Sequence, residues 1–134
     1  MQKPTQATSP PEQSTPADEH PVQIRIHNHG PKDKRYRISR MGVLVSESKT
    51  YRASDSVVKA LKALKLRLAK RKVLEAPSGE WHVKVASANG SIVMESVSFE
   101  SEQEAETVMA DLQAFFDAGG QVEMSPGRFK RLKR

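Results

Sequence analysis

The chain has 134 residues, a net charge of +6 and no cysteine, with 37% hydrophobic and 28% charged residues. That length holds at most one ordinary domain's worth of core, and the missing cysteine excludes a disulfide framework, a thiolate metal site and a cysteine nucleophile. No run approaches the roughly 18 apolar residues of a membrane span and the N-terminal region lacks the apolar run of a signal peptide, so a cytoplasmic protein with no membrane partner is expected.

Residues 1–21 are Gln, Ser, Thr and Pro with almost no apolar content, which predicts a disordered tail. Val22 to Ile26 alternates apolar and polar, the period of a half-buried strand. A loop at His29 to Asp33 precedes a second strand from about Arg35 to Arg40. Met41-Gly42 then turns the chain into a third, Val43 to Lys49. From Tyr51 to Lys72 the period is helical: Val57, Leu61, Leu64 and Leu68 share one stripe, with Ser54 or Asp55 as N-cap and Lys70-Arg71-Lys72 at the dipole's negative end.

After a turn at Pro77-Ser78-Gly79, Trp81, Val83 and Val85 alternate with polar residues, and Asn89-Gly90 is the strongest short hairpin signal in the chain. Ile92 to Ser98 pairs back. Ser101-Glu102-Gln103-Glu104 is a capping box for a helix that buries Ala105, Val108, Met109, Leu112 and Phe116 and stops at Gly119-Gly120.

The two halves are related. A shift of 48 positions puts Gly42 on Gly90, Val45 on Val93, Glu47-Ser48 on Glu95-Ser96, Tyr51 on Phe99 and Leu64 on Leu112. Tyr36-Arg37-Ile38 answers Trp81-His82-Val83 if the second hairpin is three residues longer. The expected fold class is therefore α+β: tandem (β)ββα repeats forming one antiparallel sheet with two helices packed on one face. Residues 22–120 would be a single domain of two repeats, 22–72 basic and 73–120 acidic, followed by a basic C-terminal tail at 121–134. The charges divide accordingly. Residues 21–75 hold 15 Lys/Arg against four acids, residues 76–124 hold Lys84 against nine acids, and the last ten residues add five cations.

Gly79-Glu80-Trp81-His82-Val83-Lys84, Ala88-Asn89-Gly90-Ser91-Ile92 and Glu95 to Ser101, with Ala105 in the helix, resemble the YegP-like family of small bacterial proteins. The resemblance covers 72–117 and extends less closely over 22–68, where Met41-Gly42 replaces the Ala-Asn-Gly turn. It implies a ββα-type repeat, in tandem or dimerised, and supplies no active site. A looser likeness, through Phe99-Glu100-Ser101 and Ala105, is to the three-stranded, one-helix arm-binding domains of phage-type integrases, which read DNA with their sheet.

Enzymatic chemistry finds little footing. Gly119-Gly120 follows a helix, whereas the glycines of a phosphate loop precede one. His27, His29 and His82 could supply imidazoles to a metal, with Asp33 as the nearest acid, but a surface loop that contains histidines is the simpler reading. Ser48 and Ser96 match in the two repeats without a partnering base, and Glu100, Glu102, Glu104 and Glu106 scatter around a first helical turn. The aromatic residues suit a core. No enzyme, metal or cofactor is expected.

The basic constellation is the functional signal. The phase that buries Val22, Ile24, Ile26, Tyr36 and Ile38 turns Arg25, His27, Arg35 and Arg37 outward, with Arg40 at the strand's end. Lys70, Arg71 and Lys72 add a second basic surface, and Arg128, Lys130, Arg131, Lys133 and Arg134 a flexible arm. These residues lead to the expectation of a non-enzymatic nucleic-acid-binding accessory or regulatory protein, with DNA ahead of RNA, gripping mainly phosphates. The alternative is a charge-polarised protein-interaction module that self-associates or meets a charged protein partner.

Overall fold

The computed structural model describes residues 20–124 and the backbone of 128–131. Three strands lead into a helix: β1 (Val22–Gly30), β2 (Asp33–Arg40), β3 (Val43–Glu47) and α1 (Ser54–Arg67), which ends in a 3-10 turn at Leu68–Lys70. Three more strands, β4 (Lys72–Glu75), β5 (Trp81–Ala86) and β6 (Ile92–Glu95), lead into α2 (Glu102–Asp117). Two short strands close the chain, β7 (Gln121–Met124) and β8 (Arg128–Arg131). The architecture is α+β.

The expectation of one antiparallel sheet is corrected. There are two sheets, five strands in the order β3-β2-β1-β7-β8 and three in the order β4-β5-β6, and β7 runs parallel to β1. The division falls between β3 and β6, which meet at one bridge, Ser46 to Ser96, and through Val97 N–H donating to the Val45 carbonyl at 2.8 Å. Beyond that point side chains span the gap. The Ser46 hydroxyl donates to the Glu95 carbonyl at 2.6 Å and the Tyr36 hydroxyl to the Val93 carbonyl. A cleft of about 400 Å³ opens there, with Glu47, Tyr51 and Glu95 among its walls. Residues 121–124, read from sequence as the start of a tail, instead take the free edge of β1, with Val122 buried.

Alternation in the strands and helical stripes feed one core. Ile24, Ile26, Tyr36 and Ile38 from the larger sheet and Val83 and Val85 from the smaller pack with Leu61, Leu64, Met109 and Leu112 of the helices. Contacts of α1 reach β1, β2, β5 and β6, and those of α2 reach β1, β4 and β5, so the helices cover the inward side and, among the described residues, leave the other side of β1 and β2 open. Ser101 caps α2 through the Glu104 N–H at 3.0 Å, while the Glu104 carboxylate accepts from the Glu100 N–H at 2.9 Å. The N-cap of α1 is Ala53, with no side-chain bond, so neither Ser54 nor Asp55 caps it.

The same bonds occur in both halves. Tyr36 N–H donates to the Ser48 hydroxyl at 3.0 Å and Val83 N–H to the Ser96 hydroxyl at 2.9 Å. Lys34 exchanges backbone bonds with Tyr51 as Trp81 does with Phe99. Tyr36 therefore stands where Val83 does, not Trp81, and the second hairpin is one residue longer, not three. Met41-Gly42 makes a two-residue turn with both residues at positive φ, 52° and 81°, whereas at Asn89-Gly90 only Gly90 turns left-handed, at 91°. Asn89 acts through its side chain, accepting from the Ser91 N–H at 3.0 Å.

Candidate nucleic-acid interface

The open face of β1 and β2 is set by strand register. Arg25 lies directly opposite Arg37, and His27 opposite Arg35. Like charges facing each other across a strand pair are unfavourable. Here each arginine has an acid on its far side: Glu123 of β7 is in register with Arg25 and Glu47 of β3 with Arg37. The Arg25 guanidinium reaches Glu123 at 2.7 Å, and Arg37 donates to Glu47 at 3.0 Å. A row across four strands thus reads Glu123, Arg25, Arg37, Glu47.

Arg35 pairs along its own strand, with two bonds to Asp33 at 2.9 and 3.1 Å, and lies 3.8 Å from Glu47. The bond from Arg35 holds the Asp33 carboxyl below its ordinary range, and the same pairing raises Arg35 further. Partial burial, then the positive charges of Arg37 and Arg25, lower His27 from its usual value near 6.5. His27 stacks on His29 with ring centroids 5.9 Å apart.

Between these residues runs a shallow groove of about 240 Å³ whose polar walls are Gln23, Arg25, His27, Arg37 and Ser39, with Gly42 and Leu44 at one end. Each polar side chain in it can donate a hydrogen bond, and the acids that hold the arginines stand outside it. Such an arrangement suits an anion: two guanidinium forks, an imidazole, an amide and a hydroxyl converge, and the forks are already positioned.

The other basic residues named from sequence are placed elsewhere. Arg40 has the inward phase of Tyr36 and Ile38 and donates to Asp111 of α2 at 2.6 Å, while Arg71 binds Glu106 of α2 at 2.7 Å. Both tie the basic half of the chain to the acidic helix. Lys70 and Lys72 are exposed, on the 3-10 turn and on the first strand of the smaller sheet. Arg128, Lys130 and Arg131 lie in β8, and Lys133 and Arg134 fall outside the described residues.

Sequence reasoning missed Gln23, Ser39, Glu47 and Glu123. The first two were readable, since each lies two residues from an outward arginine on the same strand. The two acids depend on strand order. Among the described residues no group of three or more His, Asp or Glu is placed to hold a metal ion, and no helix is long and apolar enough to cross a membrane.

No family model and no curated protein matches the sequence. Two solved structures match the fold. The solution NMR structure of a UPF0339 protein from Shewanella oneidensis is 9% identical, with 78% of this chain and 91% of that one covered at a TM-score of 0.64. The solution NMR structure of yegP from E. coli, a protein of unknown function, is 16% identical over 78% of this chain and 92% of its own, at a TM-score of 0.63. The fold is YegP-like. Identities this low carry the YegP-like fold alone.

Proposed function

We propose that the protein is a non-enzymatic, cytoplasmic nucleic-acid-binding module that grips phosphates through the open face of β1 and β2. The observation that supports this best is the groove between Arg25 and Arg37, whose polar lining offers donors from every side chain and contains no carboxylate. Ion pairs to Glu47 and Glu123 hold the guanidinium groups in place, and because such half-exposed pairs contribute only about 0 to 1 kcal/mol each, a phosphate can exchange for a carboxylate at small cost. The same acids reduce the field. Of the cations named from sequence, Arg40 and Arg71 bind acids of α2, which leaves about three phosphate contacts, at Arg25, Arg35 and Arg37, on the open face of β1 and β2.

Three contacts predict a modest salt dependence. Fluorescence anisotropy with short oligonucleotides at about 50 and about 200 mM salt is expected to show a roughly 20- to 40-fold loss of affinity. Arg35→Glu with Arg37→Glu abolishes binding on this reading. Undiminished binding by that variant, or none by the parent protein at low salt, refutes it.

The recurrence of the hydroxyl bonds of Ser48 and Ser96 supports a further reading, that the chain is a tandem duplication of a three-strand, one-helix unit. In that case Lys72, Lys84 and Glu95 occupy in the smaller sheet the places of Arg25, Arg37 and Glu47 in the larger. A second function is favoured by the edge strand β3, where Val43 is 68% exposed beside Met41 at 73%. An exposed apolar edge is a template for pairing with a second copy of this chain. Sedimentation of the parent protein against Val43→Lys tests it, and a monomer at all concentrations rules it out.

A further inference from the structure

The open face has a lateral order as well as a composition. Across the strands the row is Glu123, Arg25, Arg37, Glu47, so donors stop at an acid on either side. Along the strands they continue further, through Gln23, Arg25, His27 and His29 on β1 and Ser39, Arg37 and Arg35 on β2, and the first acid met is Asp33 at the start of β2, paired to Arg35. Neighbouring strands lie about 4.8 Å apart, so the two acids rise from backbones about 14 Å apart with a donor strip two strands wide between them.

We propose that this strip is a channel for one single-stranded nucleic acid, lying parallel to β1 and β2 with a phosphate on Arg25 and Arg37 and a base against the His27–His29 pair. This rests on the phosphate-binding reading above and adds which nucleic acid the face accepts. A strand crossing the sheet would carry its next phosphate over Glu123 or Glu47, where like charges repel. A duplex centred on the strip is excluded for a related reason. Its two backbones flank a major groove about 12 Å wide and would fall over Glu123 and Glu47.

The imidazoles supply what a single strand needs beyond phosphate contacts. His27 and His29 lie 25° from parallel, and His29 is exposed, so a flat ring face is open to an unstacked base. The lowered pKa of His27 keeps that ring neutral near pH 7.

The test compares the full chain's affinity for a single-stranded DNA of about 12 nucleotides, the same sequence as single-stranded RNA, and the corresponding DNA duplex, at about 50 mM salt. Either single strand is expected to bind at least about tenfold more tightly than the duplex. Glu47→Gln with Glu123→Gln should narrow that gap by tightening duplex binding, and His29→Ala should weaken the single strand alone. Thermal melts of each variant confirm that the fold is kept, since Glu47, Glu123, His29, Arg25 and Arg37 are all solvent-accessible. Equal or tighter duplex binding by the parent protein overturns the channel and leaves the phosphate-binding reading standing. A single-strand preference that survives Arg25→Gln with Arg37→Gln also overturns the channel. No binding to any of the three overturns both.

Discussion

Tyr36→Phe tests how the two sheets are held together. The Tyr36 ring is fully buried, burial raises its phenol well above the usual range, and the neutral hydroxyl donates across the sheet gap to the Val93 carbonyl of β6. Phenylalanine keeps the apolar area and removes only the donor. The Val93 carbonyl is then left without that partner in the interior, which costs about 1 to 3 kcal/mol. Taking about 2 kcal/mol, the melting temperature should fall by about 8 to 16 °C for a domain near 100 residues. Ser46→Ala removes the neighbouring bond to the Glu95 carbonyl, so the two substitutions should couple by about 0.5 kcal/mol or more in a double-mutant cycle. Urea unfolding followed by far-UV circular dichroism and by Trp81 fluorescence gives both numbers, and Trp81, on β5, reports the smaller sheet. A Tyr36→Phe protein within about 0.3 kcal/mol of the parent would refute the bridging role.

Met41→Asn should stabilise the protein by about 0.5 to 1 kcal/mol, because Met41 holds φ 52° in a two-residue turn that favours Asn-Gly; an unchanged or lower melting temperature argues against that turn. Gly120→Ala should destabilise by about 1 to 3 kcal/mol, since a Cβ there would stand 2.6 Å from the Phe115 ring, and chemical denaturation reads the loss directly. Stability should also fall as the pH drops through about 6.5, because the folded state depresses His27 and the unfolded chain takes up that proton first. The contribution is intact above the unfolded value and lost below it. His27→Gln should flatten that part of a melting-temperature profile taken from about pH 7.5 to 5.5, where Arg25, Arg37 and His29 oppose protonation and Glu47 favours it.

What was legible in the sequence is what depends on local period. Val22 to Ile26 turns Arg25 outward whatever lies beside β1, and Ser101 with Glu104 caps α2 through bonds that span a few residues. The hairpins show where that logic stops. Asn89-Gly90 carries the stronger signal for a two-residue turn, yet the loop is one residue longer than at Met41-Gly42, so only Gly90 goes left-handed and the Asn89 side chain accepts from the Ser91 N–H instead. The three-residue allowance in the sequence comparison had the same source, for it matched the aromatic rings of Tyr36 and Trp81. Bond partners match Tyr36 to Val83.

Charge is where local reading fails most, and the failure has a physical cause. An excess counted along residues 21–75 takes no account of acids that return from far along the chain. Glu123 comes to Arg25 because α2 carries the chain back to the open edge of β1, and Asp111 and Glu106 come to Arg40 and Arg71 because α2 packs over the same core. Each pairing depends on strand order and helix placement, which period alone leaves undetermined. What the pairing leaves open is narrower than the basic half of the chain. Arg25, Arg37 and the donors beside them remain exposed because the acids rise from the strands on either side and do not lie over the face. A face neutralised in that way loses long-range attraction and keeps short-range geometry. The resulting expectation is weak dependence on salt together with strong dependence on which arginine is removed, and a generally basic surface would show the reverse.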